Sequence, residues 1–191
     1  MHKSIIAAML AGSALSLPAA AQIVHIDGLT VTAMPAPKCD FGVLWPTEIV
    51  NYGTRGPAVV NIARGSSALG SDPFVGTPLA GLSPYLSLSG SYSEGAAVYW
   101  QFQSPRHAVQ VVWGTPDQWN HLALYDQTGR VKLGELNGAE INRRFHDGTE
   151  AAAVSLLIES GQPFYFAVAG THGHAFELGD VAFDAEEHCG E

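Results

Sequence analysis

Charge is scarce in this 191-residue chain, and positive charge is scarcest: 9 Lys plus Arg stand against 18 Asp plus Glu, a formal net charge of −9. A surface of that sign repels phosphate backbones and argues against non-specific nucleic-acid binding. Charged residues make up only 14% and hydrophobic residues 47%, which argues against disorder. Past residue 21 no stretch is long and apolar enough to cross a bilayer, so the mature chain is not expected to span a membrane. Helical periodicity is also poor. Asn137–Phe145 reads as one turn of helix, and the Ala run within 148–157 reads equally as helix or buried strand.

Residues 1–21 have the form of a secretory signal. His2 and Lys3 make a short basic start, Ile5 to Leu17 is a short apolar run, and Ala19-Ala20-Ala21 precedes an expected cut at Gln22. An N-terminal anchor helix is the alternative. A secreted, periplasmic or cell-surface protein of residues 22–191, in one domain, is expected. The two cysteines, Cys39 and Cys189, lie at opposite ends of that domain, and oxidising conditions favour a bond between them. Closing so long a loop is worth roughly 4–5 kcal/mol in the chain-entropy model. Two free thiols or a link to another chain are the alternatives.

Glycine (21) and proline (11) are abundant and punctuate the chain. Residues 64–84 are richest in Gly, Pro and Ser and read as a long loop, either mobile or ligand-binding. Short strands are expected at Leu29–Ala33, Val43–Leu44 and Ala58–Ile62. From Tyr85 onward alternating runs follow one another: Tyr85–Ser89, Ala97–Gln103, Val109–Trp113, Asn120–Tyr125, Arg130–Leu133, Ala153–Glu159, Phe164–Ala169 and His174–Phe183. Short aromatic and β-branched runs between turn residues predict an all-β fold, a two-sheet antiparallel β-sandwich of jelly-roll-like form.

The segment Val112-Trp113-Gly114-Thr115-Pro116-Asp117-Gln118-Trp119-Asn120-His121-Leu122-Ala123-Leu124-Tyr125-Asp126 resembles the "YWGSPDxYNTLxFYD" stretch of exosortase-associated bacterial surface proteins, the PEP-CTERM class. His174-Ala175-Phe176-Glu177-Leu178-Gly179-Asp180-Val181-Ala182-Phe183 resembles their closing "AFEFDNVAF" strand. The resemblance covers about residues 83–184. It implies a jelly-roll-like sandwich at the cell surface or in extracellular polymer. The sequence ends without a Pro-Glu-Pro motif, a membrane helix or an Arg cluster, so a free periplasmic or secreted relative is expected. Physically, Asp117 and Asn120 can accept backbone N–H groups within a turn. The change of phase at Gly179-Asp180 predicts a bulge or turn.

The chemistry-bearing residues give three readings. Tyr85, Tyr92, Tyr99, Trp100, Trp113, Trp119 and Tyr125 offer flat faces on which a sugar can stack. Trp100 and Trp113 sit in alternating strands and are expected in the core. Trp119 sits in a turn and is the best ligand-binding candidate, with Tyr125, Asp117 and Asn120 of the same segment. The expected partner is a polysaccharide or cell-envelope glycan. A self-associating structural envelope protein is the second reading. A metal-dependent enzyme using His172 and His174, which share a strand face, is the third. No Gly-x-Ser-x-Gly elbow, Cys–His pattern or paired-carboxylate spacing supports an enzyme. No cofactor is expected beyond a candidate structural calcium at Asp117, Asp126, Asp180 or Asp184, where no EF-type loop occurs.

Overall fold

The computed structural model describes residues 21–35, 44–51, 59–63, 73, 79–89, 95–145, 153–173 and 176–184. Cys39, Cys189, His174, most of the expected signal and most of the 64–84 loop lie outside these residues. Ten strands are described: β1 (Ile23–Ile26), β2 (Leu29–Ala33), β3 (Glu48–Asn51), β4 (Val59–Ala63), β5 (Tyr85–Ser89), β6 (Ala96–Gly114), β7 (Asn120–Tyr125), β8 (Lys132–Asn137), β9 (Val154–Thr171) and β10 (Phe176–Phe183). One helix, α1 (Gly138–Phe145), lies between β8 and β9. All described strand pairs are antiparallel.

The chain forms the expected antiparallel sandwich, but two long strands build both layers. β6 spans 19 residues and β9 spans 18. The first half of β6 pairs with the second half of β9, from Ala96↔Thr171 to Gln101↔Phe166. Beside them lie β3 on one side and β7, then β8, on the other. This front layer runs β8-β7-β9-β6-β3. The remaining halves pair from Ala108↔Glu159 to Trp113↔Val154 and continue the back layer, β1-β2-β9-β6-β10-β5-β4.

Four expected runs thus merge into two strands. The turn signals Ser104-Pro105 and Gly161-Gln162-Pro163 lie on either side of the Arg106↔Phe164 pair, in the stretch where the β6–β9 register shifts between Gln101 and Ala108. Both strands therefore bend together instead of ending. Each proline falls in the irregular stretch, where its missing N–H interrupts no ladder bond. Asp184 completes the bend: its Oδ1 accepts the His107 and Ala108 amides, both at 2.8 Å.

One core cluster fills the space between the layers. Val98 and Trp100 of the front layer, Val111, Trp113, Phe176 and Leu178 of the back layer, and Leu122, Leu124 and Leu136 beside them are all buried. Trp113 packs on Phe176 at 4.8 Å, and Phe102 on Phe183 at 4.6 Å near the bend. Both tryptophans predicted for the core are there.

Local chemistry accounts for the connections. Asp27 and Gly28, both at positive φ, make the tight β1–β2 turn favoured by Asp-Gly. Gly179-Asp180 is a β-bulge, as its phase change predicts: the β10–β6 register shifts between Gly179 and Ala182, and Asp180 has φ 52°. Asn137 caps α1 by accepting the Glu140 amide at 2.9 Å, and Glu140 pairs with Arg143 and Arg144. The helix has 8 residues, about twice the single turn expected. The Ala-rich ambiguity resolves to strand from Val154. Leu44 precedes β3 and lies outside it, because Pro46 separates it from the paired residues.

Candidate functional site

The outer faces of the two layers differ. On the back layer Tyr85, Ser87, Val112 and Glu177 are buried, with Leu79 packed against the Tyr85–Val112 pair. On the front layer an open trough of about 400 Å³ is lined by Tyr99, His121, Tyr125, Thr128, Gly129, Phe166 and Val168. That size falls within the range of small-molecule clefts, roughly 300–1,000 Å³.

The trough follows from alternation. Side chains facing out of the front layer are Ala97, Tyr99 and Gln101 from β6, Phe166, Val168 and Gly170 from β9, and His121, Ala123 and Tyr125 from β7. Cross-strand register arranges them in rows. Tyr99, Val168 and Ala123 form the middle row, extended to Glu48 of β3 and Glu135 of β8. Gln101, Phe166 and Tyr125 form one flanking row, and Ala97, Gly170 and His121 the other. Small residues at Ala97, Gly170 and Ala123 keep the floor low between the rings.

Gly170 leaves the space that the His121 ring fills. A Cβ there would lie 2.6 Å from both Cε1 and Nε2 of His121, so the imidazole lies over bare backbone. The His121 ring stacks on His172 with centroids 5.6 Å apart and 22° between planes. Burial pushes the His121 pKa below its ordinary 6.5, against the opposing influence of Glu135 and a hydrogen bond to the Trp119 backbone. The nearby His172 and Lys132 lower it further. Lys132 itself is held by Glu135.

At the other end, the Asp126–Val131 turn leans on Phe166. Gly129 sits so that a Cβ would touch the Phe166 ring at 3.4 Å. The turn is knitted by Asp126, whose Oδ1 accepts from Thr128 N (3.1 Å), Thr128 Oγ1 (2.8 Å) and Val131 N (3.2 Å). The Thr128 bond is the main reason that the Asp126 carboxyl is held below its usual range.

Of the residues singled out from sequence, Tyr125 lines the trough. Trp119 is half-buried beside it: its ring covers Gly173, and its carbonyl accepts the His172 amide at 3.2 Å. Asn120 is fully buried and donates its Nδ2 to the Thr115 carbonyl at 3.2 Å. Asp117 is half-buried in the same turn, its carbonyl accepting the Asn120 amide at 3.0 Å. Those two therefore sit in the scaffold of the turn. His172 meets His121 by stacking. Asp184 is committed to the bend and Asp126 to its turn. Among the described residues no three His, Cys, Asp or Glu side chains form a group able to hold a metal ion, and no helix is long and apolar enough to cross a membrane.

Phe166, Val168 and His121 were not singled out as site residues. Alternation marks His121, which is out of phase with the core residues Leu122 and Leu124, but it would place Phe166 and Val168 in the core with Phe164, whose parity they share; the bend in β9 turns them outward. Only strand order brings the three runs side by side.

The His121 shift has a consequence for stability. The unfolded chain binds this proton more readily than the folded chain, so stability rises with pH across the window between the two values. The contribution is present above about pH 6.5 and is lost as pH falls through the lowered folded value. Thermal melts should show a declining Tm below that point, and His121→Gln should flatten the decline. An unchanged slope in the variant would assign the acid sensitivity elsewhere.

No known family model and no curated protein matches this sequence. Two solved structures are similar at a distance. One is the enzymatically active domain of tailspike protein 4 from bacteriophage CBA120, with 15% identity and a TM-score of 0.37, covering 71% of this chain and 19% of that one. The other is the C-terminal CBM6 of LamC, a marine laminarinase from Zobellia galactanivorans, with 10% identity and a TM-score of 0.29, covering 69% of this chain and 99% of that one. The chain thus spans about a fifth of the tailspike domain's length. At these scores neither likeness bears on function.

Proposed function

We propose that this chain is an exported, non-catalytic surface or extracellular-matrix protein, a relative of the exosortase-associated class, that binds carbohydrate in the front-layer trough. The observation that carries the reading is the trough itself. Aromatic faces from Tyr99, Tyr125 and Phe166 surround a floor of small residues, and hydroxyl, imidazole and carboxylate groups stand around them. Sugars present apolar C–H faces and polar edges, and both find partners in such a site. Export rests on the signal-like residues 1–21.

The test is affinity electrophoresis of the purified protein through gels containing soluble polysaccharides. Retardation by at least one glycan is expected, and Tyr125→Ala should weaken it by about two- to tenfold, the worth of one aromatic contact. No retardation by any neutral or charged polysaccharide would count against the reading. Growth of light scattering with protein concentration in that case would favour the self-associating structural role.

A further inference from the structure

We propose that the trough holds an internal stretch of a neutral, linear polysaccharide whose axis runs across the strands. The proposal rests on the carbohydrate reading above and specifies the ligand's charge and direction.

Direction follows from where the rings stand. Along the strands the trough is walled at both ends, by His121 over Gly170 on one side and by the cross-strand pair Tyr125–Phe166 on the other. His121 and Tyr125 lie four residues apart on β7, so the walls are separated by roughly 13 Å. The floor between them is Ala123 and Val168. Across the strands the arrangement differs. The middle row, Glu48-Tyr99-Val168-Ala123-Glu135, carries a single ring, that of Tyr99. Its outer members are open to solvent, Glu48 exposed and Glu135 half-exposed. Five strands span roughly 19 Å between the first and last. A ligand longer than the trough therefore extends along this row, with one unit between the walls and the next on the Tyr99 ring. Its ends leave past the two carboxylates, and no chain terminus is needed.

Charge follows from the same row. Both exits carry a glutamate, and Lys132 is already held by Glu135. Arg130 sits out on the exposed β7–β8 turn. The chain as a whole carries −9. Uronate or sulfated polymers would bring like charge to the Glu48 exit within about a Debye length, roughly 8 Å at physiological salt, while at the other exit Lys132 offsets Glu135. A neutral chain meets no such repulsion.

Titration calorimetry of the full mature protein tests both parts. The probes are neutral mixed-linkage β-glucan, xylan, glucomannan and hydroxyethylcellulose, with carboxymethylated forms of the same backbones. The expected result is several protein molecules bound per neutral polymer chain, and binding at least tenfold weaker to the carboxymethylated partner. Glu48→Gln should narrow that gap. One protein per polymer chain would overturn internal binding. Equal or tighter binding of the carboxymethylated polymer, or a gap unchanged in Glu48→Gln, would overturn the charge argument. If no polymer of either kind binds, the carbohydrate reading itself fails.

Discussion

Gly138→Ala should cost this protein about 3 kcal/mol or more, because the added methyl has nowhere to go. A Cβ at Gly138 would lie 2.1 Å from the Asp117 carbonyl oxygen, 2.4 Å from the Pro116 carbonyl carbon and 2.6 Å from the Asp117 nitrogen. All three are backbone atoms, so no rotamer change relieves the clash. The Thr115–Trp119 turn rests directly on the first residue of α1, and Asn142 Nδ2 donates to the Pro116 carbonyl at 2.6 Å from the next turn of the helix. For a domain of this size the loss corresponds to a fall in Tm of at least about 6 °C. Gly161→Ala is the control, since nothing lies within 4 Å of that position. A Gly138→Ala melt within 2 °C of the parent, roughly the shift of half a kilocalorie, would mean the turn is not seated on α1 as described. Because the same turn leads into β7, the variant should also disturb the wall at His121.

Trp100→Ala should be about as damaging, at roughly 3–5 kcal/mol. Trp100 is 1% exposed and lies 5.7 Å from Phe183 of the opposite layer. It has a second task. Its indole N–H donates to the Leu44 carbonyl at 2.9 Å and so ties the segment before β3 to the front layer. Trp100→Phe separates the two. It keeps much of the aromatic packing and loses the donor, so Tm should fall by less than in the alanine variant. Limited proteolysis near residues 44–47 should nonetheless accelerate. Equal protease resistance in parent and Trp100→Phe would show that the indole bond does not hold β3 in place.

Much of the fold could be read before any tertiary contact was known. Alternation in Ala97–Gln103 and Val109–Trp113 named the core side chains of β6 correctly, because the face a residue takes in a strand depends only on its parity. The Gly179-Asp180 bulge and the Asp126–Gly129 turn were legible for a similar reason: each is a local conformation that particular residues favour. The merging of runs into β6 and β9 was not legible. Pro105 and Pro163 are ordinary strand breakers until they fall together in the irregular stretch of one antiparallel pair, where a bend costs no ladder bond. Asp117 and Asn120 show the converse limit. Their residue types suit a turn and a ligand equally well, and only burial and the contact with α1 place them in the scaffold.

The trough lies at the far end of that scale. From sequence alone came the charge deficit that disfavours phosphate backbones, the signal-like start, the strand-rich pattern and the aromatic supply. Each is a property of composition or of neighbours in the chain, so it survives without a folded structure. The tertiary structure decided that Tyr99, Phe166, His121 and Tyr125, drawn from three strands, surround one floor on the front layer. It also decided that the outer face of the back layer is buried around Tyr85, Ser87, Val112 and Glu177. Both outcomes depend on cross-strand register, a relation between residues tens of positions apart. Parity along one strand says which side a residue faces, and only pairing says what stands beside it.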